Sequence, residues 1–193
     1  EGLVRVNYIT FKDELGKLAT ASKDFKKVLY DGWKDGDQNL GKVTDWGPDT
    51  ILGIDSGTFL GEAMKHDALA LQNKKSHEAL QTSDWGEATR QMYNLLDYVT
   101  SDYLHCNIVV TALPLIVEDD SGVGRYYPNF ITKNFSANMV GRFFNNIVRV
   151  YGKKDGSFHI RTVTDGRFGL KVEAKMDAEI PADLSVLLKT IVA

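Results

Sequence analysis

The sequence predicts an α/β fold with a parallel central sheet that turns antiparallel at a C-terminal edge hairpin. Three observations carry this. Thr50-Ile51-Leu52-Gly53-Ile54-Asp55 and Cys106-Asn107-Ile108-Val109-Val110-Thr111-Ala112 are compact, largely apolar runs. Such runs fit strands buried on both faces, as parallel sheets require. Helical periodicity fills the stretch between them, which suits a right-handed crossover joining parallel strands. Asn146–Tyr151 and Ser157–Thr162 flank Lys154-Asp155-Gly156, a hairpin signal because Asp-Gly suits a tight turn.

The remaining elements follow in order. Residues 3–11 alternate apolar and polar and are rich in β-branched and aromatic types, a strand pattern. Phe25, Val28, Leu29 and Trp33 fall at helical spacing over 22–33. Leu40, Val43 and Trp46 suggest a short helix ending at Gly47-Pro48, and residues 58–72 read as a longer one. The clearest helix spans 85–100, with Trp85, Ala88, Met92, Leu95, Leu96 and Val99 on one stripe. Ser83 or Asp84 is expected to cap it. Residues 114–135 read as a long mixed loop with a polar tip at Glu118-Asp119-Asp120-Ser121-Gly122. A connection of that length is expected to be functional and mobile. Short and C-terminal helices are expected over 136–144 and 181–191, all within a single domain spanning 1–193. The opening strand begins almost at Glu1, so an N-terminal segment is expected to precede it.

A chain of 193 residues with 43% apolar and 25% charged residues is long and apolar enough for a proper core. Its net charge of -3 argues against a basic surface over the whole chain, though not against a local basic stripe. The lone Cys106 permits neither an intrachain disulfide nor a cysteine zinc cluster. It fits a reducing cytoplasm. His66, His77, His105 and His159 show no zinc-enzyme spacing. No apolar run approaches the roughly 20 residues that span a bilayer, so no membrane partner is expected.

The sharpest chemical signal is Asp55-Ser56, an acid and a hydroxyl at the C-terminal end of a buried strand. That is where α/β sheets place ligands. The plainer reading is an acid that caps the next helix. Thr111 ends the second buried run, and its plainer reading is simply the last strand residue. Aromatics and cations alternate in Arg125-Tyr126-Tyr127, Arg142-Phe143-Phe144 and Arg149-Val150-Tyr151. Single-strand binders combine such stacking faces and cations. Phe143 and Phe144 sit in an apolar stretch and read as core. Arg125, Tyr126, Tyr127 and Lys133 in the long loop are the nucleic-acid candidates.

Around Asp55-Ser56, an ordered set runs from Thr44-Asp45-Trp46-Gly47-Pro48-Asp49-Thr50 through Ser83-Asp84-Trp85-Gly86, Asn107–Thr111 and Arg125-Tyr126-Tyr127-Pro128. It continues through Gly141-Arg142-Phe143-Phe144-Asn145, Ile160-Arg161-Thr162 and Gly169-Leu170-Lys171. Over roughly residues 40–190 it resembles phage-encoded ATP-binding proteins with a RecA-like P-loop core. Some of these are linked to single-strand annealing and recombination. The resemblance implies a protein that binds ATP with Mg2+, hydrolyses it to act on DNA, and assembles as a homo-oligomeric ring or filament in the host cytoplasm. Asp55 matches the Walker B acid that helps hold magnesium, and Ser56 lies beside it. Glu14, or its neighbour Asp13, is expected to orient the attacking water, unless Lys12-Asp13-Glu14 is only a solvated turn. Thr111 is expected to sense the γ-phosphate. Leu113 departs from a histidine frequent two positions beyond that threonine. Arg167 and Lys171 are the cations expected to complete a neighbour's site, or else to protect an edge strand. No Gly-x-x-x-x-Gly-Lys-Ser/Thr phosphate loop occurs in the chain. ATPase activity is therefore expected only with a Walker A loop from the preceding segment. The alternative is a non-catalytic RecA-like oligomerisation or DNA-binding module.

Overall fold

The computed structural model describes residues 7–13, 19–35, 37–75, 77–118, 121–173, 176–183 and 185–187. The chain is a mixed α/β protein that divides into two compact units between Ala112 and Leu113.

The first unit is built on two long helices and a parallel strand pair. Helix α1 (Thr20–Asp31) stops because Gly32 takes a φ of 114°, which favours glycine, and its N–H returns to the Val28 carbonyl at 3.2 Å. The helix expected to reach Trp33 therefore ends earlier. Trp33 instead opens β1 (Trp33–Asp35), which pairs antiparallel with β2 (Gln38–Gly41). The short helix expected over 40–46 is a 3-10 turn at Val43–Asp45, since Leu40 belongs to β2. Trp46 closes this corner, donating from Nε1 to the Leu40 carbonyl at 2.8 Å.

β3 (Ile51–Ile54) and β4 (Asn107–Val110) run parallel in the register Ile51↔Asn107 to Ile54↔Val110. Between them come α2 (Gly57–Leu71) and α3 (Thr82–Val99). The predicted stripe of α3 is largely confirmed: Ala88, Met92, Leu95, Leu96 and Val99 are buried against Met64, Ala68 and Leu69 of α2. The start of α3 differs from expectation. Gln81 takes the N-cap position, and Asp84 accepts the Gln81 N–H at 2.7 Å from inside the first turn. Residues 7–11, expected in a strand, lie in no strand; residues 3–6 fall outside the described residues.

The second unit is made of antiparallel pieces. The long loop expected over 114–135 is instead a hairpin of β5 (Pro114–Glu118) and β6 (Gly124–Pro128), registered from Pro114↔Pro128 to Glu118↔Gly124, followed by α4 (Lys133–Asn138). The alternation of Pro114-Leu115-Ile116-Val117-Glu118 around a polar, glycine-bearing tip is a hairpin pattern. The length of the segment had hidden it. Thr132 caps α4 by accepting from the Phe135 N–H at 3.1 Å, and α5 (Val140–Phe143) follows. The expected Asp-Gly hairpin forms from β7 (Arg149–Gly152) and β8 (Phe158–Arg161), with Gly156 at a φ of 84° in its turn. β9 (Glu179–Pro181) adds a third strand to β8. Pro181, expected in a helix, thus lies in a strand. Ser185–Leu187 is helical, and 188–193 lies outside the described residues. The parallel pair and this antiparallel hairpin belong to separate sheets rather than to one continuous sheet.

Candidate functional site

The C-terminal ends of β3 and β4 bring Asp55 and Thr111 together. The parallel register sets Ile54 beside Val110, so the next residue of each strand emerges at the same end. The Thr111 N–H donates to the Ile54 carbonyl at 3.1 Å, and its hydroxyl donates to Asp55 Oδ1. Asp55 is an exposed residue, and its Oδ2 makes no hydrogen bond among the described residues. The chain turns at once into α2. Ser56, only 8% exposed, caps this helix by accepting from the Phe59 N–H at 3.4 Å. The Ser56–Asp55 peptide bond is cis.

The free N–H groups of a helix start attract anions, but those of α2 are largely taken. Gly57 donates to the Thr111 carbonyl at 2.8 Å and Leu60 to the Ser56 carbonyl at 2.9 Å, in addition to the Phe59 bond. This strand end therefore offers an exposed carboxylate rather than a phosphate cradle.

Asp13, Asp55, Ser56 and His66 line a single cavity of about 480 Å³ whose other walls are mainly apolar, including Phe25, Leu29, Leu52 and Phe59. Ser22 and Trp33 also line it, and the Ser22 hydroxyl and Trp33 indole N–H are buried without a hydrogen-bond partner among the described residues. Asp13 bonds His66 Nδ1 at 2.5 Å and accepts the Ala21 N–H at 3.0 Å. Burial pushes the Asp13 carboxyl up, but the Ala21 N–H and His66 outweigh it and hold the group below its ordinary range. Asp13 is thus committed to pinning the 7–13 segment onto α1 and α2 rather than being a solvated turn residue. Glu14, the expected water-orienting acid, lies outside the described residues.

The other expected residues fall in the second unit. Arg125 is exposed on β6. Tyr126 and Tyr127, adjacent in the same strand, point to opposite faces. The Tyr126 ring stacks on Phe168 at 4.7 Å, whereas the Tyr127 ring lies over Gly169. Lys133 is exposed in the first turn of α4. Arg167 is exposed and contributes backbone bonds, accepting from Tyr126 and donating to Asp165. Lys171 bonds Glu173 at 2.9 Å. Phe143 and Phe144, read as core, are half-buried against Phe135 and Phe130. Cys106 is buried, and burial pushes its thiol pKa up, as an inert cysteine requires.

Two features carried no sequence signal. Lys26 of α1 donates to Asp67 of α2 at 2.6 Å and to Gln91 of α3 at 2.8 Å, tying three helices together. His66 meets Asp13 across a sequence gap that no local pattern spans.

No family model, curated protein or solved structure matches the chain. Among the described residues, no group of three His, Cys, Asp or Glu side chains is arranged to hold a metal ion by itself. None of the described helices is long and apolar enough to cross a membrane.

Proposed function

We propose that the first unit is part of a RecA-like ATPase core and that the intact protein couples ATP binding and hydrolysis to work on DNA in recombination or replication. The observation that carries this is the hydrogen-bonded pair of Asp55 and Thr111 at the same end of two parallel strands. Ligands in open α/β sheets bind outside the carboxyl ends of strands.

The residues suit magnesium held together with a nucleotide. Magnesium is usually bound through one or two carboxylates plus substrate phosphates, not in an all-protein cage. The exposed Asp55, with Oδ2 left over from the Thr111 bond, supplies one such carboxylate oxygen, and the cavity it lines is within the size range of small-molecule sites. In this reading Asp55 holds the metal's water shell. Thr111 orients the Asp55 carboxylate through its hydroxyl and registers the γ-phosphate. Ser56 fixes the start of α2 and keeps its own O–H available as a donor. Magnesium, when bound with ATP, would neutralise phosphate charge as the terminal phosphoryl group leaves. Arg167 and Lys171 remain the cations proposed to serve a neighbouring subunit of a homo-oligomer.

The absence of a Gly-x-x-x-x-Gly-Lys-Ser/Thr loop from these 193 residues favours a second reading, a non-catalytic oligomerisation or DNA-binding module. Titration calorimetry with ATP, with and without magnesium, tests the first. The chain should bind ATP weakly and only with magnesium, and Asp55→Asn should abolish the magnesium dependence. A micromolar dissociation constant, on the order of -8 kcal/mol, would contradict the missing cradle. Binding that ignores both magnesium and Asp55→Asn would favour the module.

A further inference from the structure

The three-stranded sheet of the second unit carries an arrangement that folding alone does not favour. Its register sets Arg149 directly opposite Arg161, and Tyr151 opposite His159. Alternation along the strands places these four side chains on one face, with Val150, Ile160 and Ile180 on the other. Like charges directly opposite on neighbouring strands destabilise a sheet.

Arg161 is relieved by Asp165, whose Oδ2 accepts from it at 2.7 Å. Arg149 shares the field of the same Asp165 carboxylate, whose charge it helps to stabilise, but does not touch it. Its guanidinium makes no ion pair or hydrogen bond among the described residues. It is instead held between rings, 3.9 Å over Phe168 and 5.4 Å from the Tyr151 ring. Phe168 stacks on Tyr126, interplanar angle 14°, so Tyr126, Phe168, Arg149 and Tyr151 form one row. The stacking fixes the direction of a planar fork with five N–H donors, which matches the oxygens of a phosphate.

Residues 113–193 hold eleven Lys and Arg against nine Asp and Glu, within a chain of net charge -3. The positive balance therefore sits in the unit that carries this face. Acidic side chains on the face are already engaged: Glu179 takes Lys153, the Tyr151 hydroxyl and His159. An acidic peptide would satisfy the arginines but has no use for the row of rings. A chain that alternates phosphates with planar bases uses both.

We infer that this face binds single-stranded nucleic acid, with Arg149 taking a backbone phosphate and Tyr151 stacking a base. The inference rests on the DNA half of the function proposed above and is independent of its nucleotide half. It moves the contact from the Arg125–Lys133 stretch to the β7–β8 face.

The test is fluorescence anisotropy of labelled oligothymidylate with the full chain across a salt series, with polyglutamate as competitor. Removing one phosphate contact from a single strand lowers the log–log salt slope by about 0.7. Arg149→Gln should do this, and Arg149→Lys should restore the slope. Tyr151→Leu should weaken binding roughly 5- to 100-fold at unchanged slope, whereas Tyr151→Phe should bind like the parent. Arg149→Gln should also melt close to the parent, because the like-charge pair it removes offsets the ring stacking it loses. A clearly lower melting temperature would mark Arg149 as a structural prop and overturn the inference. If the parent binds and neither Arg149→Gln nor Tyr151→Leu changes that, DNA binding stands but this face is not its site. If the parent does not bind oligothymidylate, both fail. Equal competition by polyglutamate would reduce the face to a general anion site and overturn the inference as well.

Discussion

Gly169→Ala offers a direct measure of what Tyr127 does. A Cβ built at Gly169 would stand 2.6 Å from Cε1 and 2.7 Å from Cδ1 of the Tyr127 ring. Non-bonded carbons settle at roughly 3.5–4.0 Å, so the overlap is about 1 Å. Neither side retreats easily. The Gly169 N–H is bonded to the Tyr126 carbonyl at 2.9 Å, and Tyr127 is registered against Leu115 within the hairpin. The φ of Gly169 lies outside the region that strains an L residue, so the clash is the dominant cost. Overpacking of this kind costs about 1–3 kcal/mol. For a unit of this size each kcal/mol lowers the melting temperature by roughly 4–8 °C. The assay is urea denaturation of parent, Gly169→Ala, Tyr127→Leu and the double variant. In the Tyr127→Leu background the alanine should cost less than about 0.5 kcal/mol, leaving a coupling energy above that of independent sites. If Gly169→Ala is neutral, or costs the same in both backgrounds, the Tyr127 ring does not lie where described and is again a candidate for stacking a base.

Two further outcomes follow from the first unit. Leu96→Ala, at a fully buried position between α2 and α3, should cost about 2–5 kcal/mol in chemical denaturation, more than the same change at the exposed Leu71. Asp84 is buried, and the Lys74 ammonium at 2.6 Å followed by the Gln81 N–H holds its carboxyl below its ordinary value of 3.8. A depressed carboxylate contributes stability that is complete above 3.8 and is lost as pH falls through the folded value. Melting temperature should therefore drop below about pH 4, while Lys74→Met should melt lower at pH 7 and lose stability at a higher pH than the parent. An unchanged acid limb in Lys74→Met would refute the pairing.

The elements legible in the sequence were those with a pattern sustained over several residues, although the burial on both faces expected for the two parallel strands is not found: β3 buries only Leu52 and Ile54, and β4 is half-buried throughout. The Ile51–Ile54 and Asn107–Val110 runs, the α3 stripe and the Asp155-Gly156 turn each announced themselves by apolar content, period or turn chemistry. The 114–128 hairpin is hard to see in the sequence because its alternation is short and its tip is acidic, so the segment's length points to a loop. Trp33 was drawn into a helix by spacing, although Asp31-Gly32 just before it was the stronger stop signal. In the site, Asp55 and Thr111 followed from their places at two strand ends. The Asp13–His66 bond, the Lys26 clamp and the Arg149–Phe168 stack join residues far apart in sequence, which no local pattern encodes.

The central claim is that the Asp55–Thr111 end of the parallel pair is the end that meets a metal-bound nucleotide. Paramagnetic broadening by manganese and ATP at millimolar concentration, read on assigned backbone amide resonances, tests it most directly. Ser56, Gly57 and Thr111 should broaden first, Ile51 and Asn107 at the opposite strand ends should stay sharp, and Asp55→Asn should abolish the effect. Broadening centred elsewhere, or undiminished by Asp55→Asn, would contradict it.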